Sequence, residues 1–186
     1  MRDPAYFRLM ADYNGITKKP HVREKLTWLV MYTEAVETLG RAAVEHCVGE
    51  EGSDLVYPNP MIANICKYYF ADNWHTATKY IQDIGGGIIV TAPSSKDFYN
   101  PATHDFMEKY FAGKAGVPTK YRLRMAKLIR DLTSAYEDVL TIHAEGSLEA
   151  QKLSILQLAD WGRYRAAALR AARIPGAETH PAFAEG

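Results

Sequence analysis

Three consecutive glycines, Gly85, Gly86 and Gly87, are the residues of this 186-residue chain whose type and spacing most suggest chemistry. One glycine is enough to end a helix, because it adopts the left-handed conformation without strain. Three in succession, followed by β-branched residues and Thr91, favour bare backbone that approaches a flat or phosphorylated ligand. A plain C-terminal helix stop is the alternative interpretation, and the spacing alone leaves it open.

The other reactive side chains form weaker patterns. His143 ends an apolar helical face just before Gly146, where a lone histidine has either a structural or a catalytic role. Cys47 follows His46 directly, and adjacent helical positions point about 100° apart, so the two make a poor chelating pair. We therefore predict that Cys47 and Cys66 are buried thiols and that the chain holds no metal.

Complete catalytic signatures are missing from the sequence. It contains no CxxC, HExxH or GxSxG motif and no phosphate-binding P-loop. No pair of carboxylates and no nucleophile with a nearby base stands at convincing spacing. The chain is therefore expected to be incomplete as an enzyme by itself.

Composition limits the partners and the location. The chain has 22 basic and 22 acidic residues, so we expect neither nucleic acid nor an anionic membrane as a partner. Because a chain without net charge resists association poorly, we expect self-association. With only two cysteines, no long apolar run and no apolar segment after Met1, we predict a cytoplasmic protein without a membrane span or a signal peptide.

Glycine and proline divide the chain into helices that would position these residues. The pattern predicts helices over 5–12, 22–47, 59–84, 101–112 and 118–143, and one from Ser147 to Ile174, with an extended stretch over 88–91. In the helix after Pro118, Tyr121, Met125, Leu128 and Leu132 share the predicted buried face. Four helices of roughly 25 residues indicate an all-α antiparallel bundle. We predict one domain over 1–186, with 175–186 as an extended tail.

Several sequence blocks together resemble a known family. They are Ala11-Asp12-Tyr13-Asn14-Gly15, Asn64-Ile65-Cys66-Lys67, the run from Ile81 to Ser94, Lys96-Asp97-Phe98, Val117-Pro118-Thr119, and Gly146-Ser147 with Ala150-Gln151. In order and spacing they resemble the C-terminal domain of the 4-hydroxybutyryl-CoA dehydratase and 4-hydroxyphenylacetate 3-hydroxylase family. The resemblance extends to about Ile174.

This resemblance implies a flavoprotein with the acyl-CoA dehydrogenase-like fold. The helical bundle would build the oligomer, and its glycine-rich segment would lie against FAD, often that of a neighbouring subunit. By matching position, the implied FAD contacts are Gln82, Gly85, Gly86, Gly87 and Thr91, with Asn64 and Lys67 as further candidates. His143 is the implied catalytic residue.

The sequence also departs from the family pattern. The family has a glutamate three residues before the matched histidine, and Leu140 stands there in this chain; leucine cannot act as an acid or base. Tyr69 and Asp72 stand where the family has asparagine and arginine. The family's iron–sulfur ligands and its N-terminal and middle domains belong to regions upstream of this chain, so we expect no cluster in this chain alone.

Three functions remain open at this stage. The first is the C-terminal, FAD-contacting and oligomerising domain or subunit of a flavoprotein of the 4-hydroxybutyryl-CoA dehydratase type, acting with an N-terminal part on an acyl-CoA. The second is a component of a flavin-dependent aromatic hydroxylase. The third is a non-catalytic helical oligomerisation module.

Overall fold

The computed structural model of the chain describes residues 3–136 and 146–174, and helices dominate this part. The elements are α1 (Pro4–Tyr13), α2 (Pro20–Glu45), β1 (Val48–Gly49), β2 (Val56–Tyr57), α3 (Pro60–Gly85), α4 (Ile88–Thr91), α5 (Ser95–Tyr99), α6 (His104–Tyr110), α7 (Thr119–Thr133), α8 (Leu148–Leu158) and α9 (Trp161–Ala172). The predicted all-α class is confirmed.

Local sequence signals fix several helix starts. The Asn59 side chain accepts a hydrogen bond from the N–H of Ile62 at 3.2 Å, and Pro60 takes the first helical position of α3, as predicted. Asp3 caps α1 in the same way through the N–H of Ala5 at 2.8 Å. The predicted cap Ser147 accepts from the N–H of Ala150 at 3.3 Å and begins α8.

Helix α3 is the central element, because it packs against α1, α2, α7 and α8. The largest side chains that are almost completely buried come from α1, α2, α3 and α7, and are Phe7, Met10, Val22, Leu29, Ile84 and Ile129. Burying an aliphatic or aromatic side chain of this size stabilises a fold by roughly 1.5–3 kcal/mol. Along α3, the glycines therefore directly follow the best-packed part of the core.

The segment 88–91 was predicted to be extended, and this prediction is wrong. It forms the single helical turn α4, in which the N–H groups of Val90 and Thr91 donate to the carbonyl of Gly87 at 3.1 Å and 3.0 Å. The β-branched residues favour strands only weakly, and their preference depends on context. In the described part of the chain no strand lies beside this segment, so its backbone N–H and C=O groups form hydrogen bonds within the helical turn instead.

The predicted helix lengths are also partly wrong. Only α2 and α3 reach 26 residues among the described helices. The predicted helix from Ser147 to Ile174 is divided into α8 and α9, because Ala159 is extended at ψ 130° and the Asp160 carboxylate accepts from the N–H of Arg163 at 2.9 Å. Asp160 therefore acts as a new N-cap inside a segment whose periodicity reads as continuous.

The buried face of α7 differs from the predicted one. Its buried residues are Thr119, Leu123, Ala126, Ile129 and Thr133, whereas Tyr121 is 41% exposed. The predicted stripe is half-buried or exposed and lies beside the true one. Periodicity shows that apolar stripes exist but does not show which of two neighbouring stripes meets α1, α3 and α4.

Two short elements were not predicted. Strands β1 and β2 form an antiparallel hairpin with Val48 opposite Tyr57. Cys47 lies between α2 and this hairpin and is exposed, so the prediction of a buried thiol is wrong there. Helix α5 begins at a capping box in which Ser94 and Asp97 cap each other's backbone N–H groups.

Some predictions fall outside the described residues. These are the tail 175–186 and the positions of Leu140 and His143. In the part that is described, no helix combines the length and the apolar character needed to cross a membrane.

Gly40 offers a test of the bundle. It lies inside α2, and a Cβ added there would meet no atom within 4 Å. Because glycine in a helix interior loses more backbone entropy than alanine, Gly40→Ala is expected to stabilise the fold by about 0.5–1 kcal/mol. Urea denaturation followed by circular dichroism measures the change, and a destabilised variant would contradict the placement of Gly40 on an open helix face.

Candidate cofactor-contact site

The backbone turns sharply where α3 ends. Gly86 adopts φ 69° and ψ −171°, in the region that favours glycine, and its N–H donates to the Gln82 carbonyl at 2.8 Å. Gly87 follows with φ −55° and precedes α4. We call residues Gly86 and Gly87 the glycine turn.

The three glycines have different surroundings. A Cβ on Gly85 would lie 2.6 Å from Cγ2 of Ile89 and 3.3 Å from Cγ2 of Ile129, whereas a Cβ on Gly86 or Gly87 would meet no atom within 4 Å. Gly85 is buried and the glycine turn is exposed. The expectation that all three expose their backbone is therefore wrong for Gly85, whose missing side chain allows close internal packing.

Asn14 holds the end of α3 in place. Its Nδ2 donates to the carbonyls of Ile84 at 3.1 Å and Gly85 at 3.3 Å. These carbonyls belong to the last turn of the helix, where no further helical N–H is available to them. Asn14 follows α1, so the N-terminal helix caps the residues directly before the glycine turn.

Arg122 of α7 orients Asn14. Its Nε donates to Oδ1 of Asn14 at 2.8 Å, and an Nη donates to the Phe111 carbonyl at 2.8 Å and to the Ala112 carbonyl at 3.4 Å. Partial burial lowers the pKa of the guanidinium, which stays charged at neutral pH because the pKa of arginine is so high. We call these contacts the Asn14–Arg122 network.

The loop before α7 is packed tightly against this network. A Cβ on Gly113 would lie 2.3 Å from the Tyr13 carbonyl oxygen and 2.6 Å from Cδ of Arg122. Next to it, Lys114 donates through its N–H to the Tyr13 carbonyl at 2.9 Å and through Nζ to Asp12 at 2.7 Å. The end of α1 is therefore fixed from two sides.

Gln82 and Thr91 flank the glycine turn. The Gln82 Nε2 donates to the Thr133 carbonyl at 3.2 Å, so that α3 caps the end of α7. Thr91 is exposed, and its hydroxyl donates to the Gly87 carbonyl at 3.1 Å. The structure thus brings Gln82, the glycines and Thr91 to one end of the bundle.

Asn64 and Lys67 lie elsewhere. Eighteen helical residues separate Asn64 from Gln82, which corresponds to roughly 27 Å along α3. Asn64 donates to the Pro60 carbonyl at 2.8 Å, and Lys67 Nζ lies 6.0 Å from the centroid of the Phe70 ring. The predicted contact residues therefore form two groups at opposite ends of one helix.

No reactive centre is visible around these groups in the part of the chain that the structure describes. Cys66 is half-buried, its thiol donates to the Val36 carbonyl at 3.5 Å, and burial raises the pKa of that thiol, which lowers its reactivity. No three His, Cys, Asp or Glu side chains of the described residues gather as metal ligands would. The predicted catalytic residue His143 and the departure at Leu140 lie outside these residues.

Sequence reasoning missed the supporting residues. Asn14 belongs to a block that resembles the family, but neither its capping role nor the roles of Arg122 and Gly113 is visible in the sequence. Asn14 and Arg122 are 108 positions apart, so no local pattern connects them.

The fold defines the class of protein. The structure of an oxygen-tolerant archaeal 4-hydroxybutyryl-CoA dehydratase from N. maritimus superimposes with a TM-score of 0.81 at 29% identity, over 92% of this chain and 35% of that one. The oxygenase component of 4-hydroxyphenylacetate 3-monooxygenase complexed with FAD superimposes with a TM-score of 0.80 at 22% identity, over 91% of this chain and 37% of that one. This is the helical part of the acyl-CoA dehydrogenase-like fold.

The family follows from the sequence. Residues 6–173 match the family model described as 4-hydroxyphenylacetate 3-hydroxylase C terminal, and the chain belongs to this family. Among characterised relatives, the 4-hydroxybutyryl-CoA dehydratase/vinylacetyl-CoA-Δ-isomerase of Clostridium aminobutyricum is 29% identical, over 79% of this chain and 32% of the relative. The 4-hydroxyphenylacetate 3-monooxygenase oxygenase component of Thermus thermophilus is 28% identical, over 67% of this chain and 25% of the relative. The chain thus spans about a third or less of these relatives' length.

Proposed function

We propose that this chain is the C-terminal, FAD-contacting and oligomerising domain or subunit of a flavoprotein of the 4-hydroxybutyryl-CoA dehydratase type, acting with an N-terminal part on an acyl-CoA. The observation that carries the proposal is the glycine turn, which exposes backbone without a side chain at the end of α3. Family membership supports it, because one relative of the same fold is a complex with FAD.

The glycine turn fits a flavin on steric grounds. With open space over Gly86 and Gly87, a planar ring or a pyrophosphate can approach the main chain closely. In this proposal Gln82 and Thr91 flank the cofactor, and Gly85 supports the turn from inside. Asn64 and Lys67 face another part of the cofactor or that of a neighbouring subunit, since roughly 27 Å of helix lies between the groups. Bound FAD would supply the electron-accepting ring system.

Exposed apolar side chains support the oligomerising role. Large exposed apolar side chains occur on α8, on α9 and two residues after α9; Trp161 is 59% exposed, and the set is Leu153, Leu156, Leu158, Trp161, Tyr164 and Ile174. Several large apolar side chains exposed on two consecutive helices favour an interaction surface. The relatives are about three times as long as this chain. We therefore propose that these exposed side chains contact either a counterpart of the relatives' N-terminal part or a second copy of this chain.

Two alternatives have their own support. An aromatic hydroxylase component is favoured by the family model, whose description names a 4-hydroxyphenylacetate hydroxylase. A non-catalytic oligomerisation module is favoured by Leu140, which stands in place of the family's glutamate. Under the first proposal His143 remains the proposed catalytic residue.

Gly87→Leu tests the flavin contact most cleanly. Its φ of −55° suits any L-residue, and nothing within 4 Å opposes a side chain, so the fold should tolerate the change. A leucine there would occupy the space proposed for the cofactor. We expect at least a tenfold loss of FAD affinity, equivalent to about 1.4 kcal/mol. Titration with FAD, followed by the visible absorbance of the flavin, measures the change.

Gly40→Leu is the matched control, because it adds the same side chain to another glycine with open surroundings, within α2. It should leave FAD affinity unchanged. If the unmodified chain leaves the flavin spectrum unaltered, or if Gly87→Leu binds FAD normally, the flavin contact is contradicted and the non-catalytic module becomes the better explanation.

A further inference from the structure

Four aromatic side chains form a continuous series between α2 and α3. Trp28 and Tyr32 of α2 stack with their ring centroids 5.3 Å apart and their planes 14° from parallel. Tyr80 of α3 meets the Trp28 ring edge-on at 5.3 Å, and Tyr69 of α3 lies 5.9 Å from the Tyr32 ring. These centroid distances are typical of rings in direct contact. We call the series Tyr80, Trp28, Tyr32 and Tyr69 the aromatic chain.

Every ring of the aromatic chain belongs to a residue that can lose one electron. Tryptophan and tyrosine are the aromatic side chains that one-electron oxidants convert to radicals, whereas phenylalanine resists them. Phe70 and Trp74 pack beside the series as a branch, with the Phe70 centroid 6.3 Å from that of Tyr32 and 5.2 Å from that of Trp74. An electron can therefore pass along the aromatic chain from ring to ring without crossing a phenylalanine.

The aromatic chain extends along the bundle between the two groups of predicted contact residues. Tyr80 lies two positions before Gln82, on the side of the glycine turn, and Tyr69 lies two positions after Lys67. Tyr69 and Tyr80 are eleven positions apart in α3, which corresponds to roughly 16 Å along the helix. The series therefore covers much of the distance between the two groups.

The middle and the ends of the aromatic chain differ in their access to water. A tyrosine that loses an electron must also release its phenolic proton. Tyr32 is 4% exposed, and its hydroxyl donates to the Phe70 carbonyl at 2.7 Å, an oxygen that is too weak a base to keep the proton. Tyr69 and Tyr80 are half-buried, so their protons can pass to water. A radical therefore crosses Tyr32 and settles on a tyrosine at either end.

We propose that the aromatic chain carries single oxidising equivalents along the bundle to tyrosines that a soluble reductant can reach. Trp28 gives one electron to a one-electron oxidant, such as a radical formed in the reduction of oxygen, and its indole proton passes to water. Tyr69 or Tyr80 then returns an electron to Trp28, which takes a proton from water, while the tyrosine releases its phenolic proton. A soluble thiol donates a hydrogen atom to the tyrosyl radical and is left as a thiyl radical.

Pulse radiolysis in azide solution tests this relay, because the azidyl radical takes an electron from tryptophan and becomes an azide ion. The full chain with Trp74→Phe and Trp161→Phe is the starting protein, since it leaves Trp28 as the one tryptophan of the three in the sequence. It also removes the separate pair of Trp161 and Tyr164, whose centroids are 5.9 Å apart. The absorbance of the tryptophan radical should decay while that of the tyrosyl radical grows, with a rate constant independent of protein concentration.

Paired tyrosine variants of this starting protein locate the path. Tyr69→Phe combined with Tyr80→Phe should slow the growth of the tyrosyl radical by an order of magnitude or more, because no tyrosine at either end can release its proton. Tyr99→Phe combined with Tyr110→Phe is the matched control, since it removes two exposed hydroxyl groups outside the aromatic chain and should leave the rate unchanged. Tyr80→Phe alone should retain the transfer, because Tyr69 is still reached through Tyr32.

Three results would overturn the relay. They are a rate constant that rises with protein concentration, equal rates in the Tyr69 and Tyr80 double variant and its control, and loss of the transfer in Tyr80→Phe alone. If circular dichroism shows that Trp74→Phe unfolds the chain, the same tyrosine variants are compared in Trp161→Phe alone, with the same expected rates. No FAD is present in these measurements, so their results are independent of the FAD titration of Gly87→Leu.

Discussion

Arg122→Met is expected to destabilise the chain by about 3 kcal/mol, because it removes charge-assisted hydrogen bonds and leaves half-buried oxygens without a donor. Methionine keeps the apolar length of the arginine side chain, so the loss reports the guanidinium contacts to Asn14, Phe111 and Ala112. Without Arg122, Asn14 is no longer held against the carbonyls of Ile84 and Gly85. Guanidinium chloride denaturation measures the stability.

A second readout identifies the cause of that loss. Hydrogen exchange of the amides in the glycine turn should accelerate in Arg122→Met, because the turn loses its support from α1. Arg124→Met is the control: it removes the same charge from an exposed position two residues along α7 and should change stability by less than about 0.5 kcal/mol. Equal stability of the two variants would show that the Asn14–Arg122 network does not hold the end of α3.

Gly113→Ala is expected to have an effect of similar size, about 3 kcal/mol. The added methyl would lie 2.3 Å from the Tyr13 carbonyl oxygen, which is a backbone atom and cannot rotate away. Arg122 would also have to move, since its Cδ lies 2.6 Å from the same point. The melting temperature, measured by circular dichroism, should fall by several degrees.

Gly87→Ala provides the comparison for Gly113→Ala, because its surroundings are open and its φ of −55° is ordinary. It should leave the melting temperature nearly unchanged. Truncating Arg122 together with Gly113→Ala should not restore stability, because the clash with the Tyr13 carbonyl remains. Recovery in the double variant would show that the backbone of the loop moves more easily than the packing indicates.

Features that depend on neighbouring residues were predictable from the sequence. Asn59, which is followed by Pro60, and Ser147, which precedes α8, each accept a hydrogen bond from an N–H three positions away, so the residue types themselves indicate this role. The all-α class followed from apolar periodicity for the same reason. The break at Asp160 shows the limit of this reasoning, because a cap inside an apolar pattern resembles an ordinary surface residue.

Features that depend on distant packing were not predictable. The buried stripe of α7 is selected by α1, α3 and α4, which lie far away in the sequence. In the same way, the sequence does not distinguish the three consecutive glycines from one another. Only the positions of Ile89 and Ile129 separate the buried Gly85 from the exposed glycine turn. The sequence singled out the glycine run, but the structure was needed to distinguish its buried glycine from the two exposed ones.

The long separation of the contacts around Asn14 also has a consequence for the order in which the chain folds. The contacts of Asn14 with Ile84 and Arg122 span 70 and 108 residues, and that between Asp12 and Lys114 spans 102. Closing such loops costs entropy that local helix formation does not. Helix α1 precedes α3 and α7 in the chain, yet we expect it to dock only after α7 has been synthesised, so that the glycine turn gains its support from Asn14 late in folding.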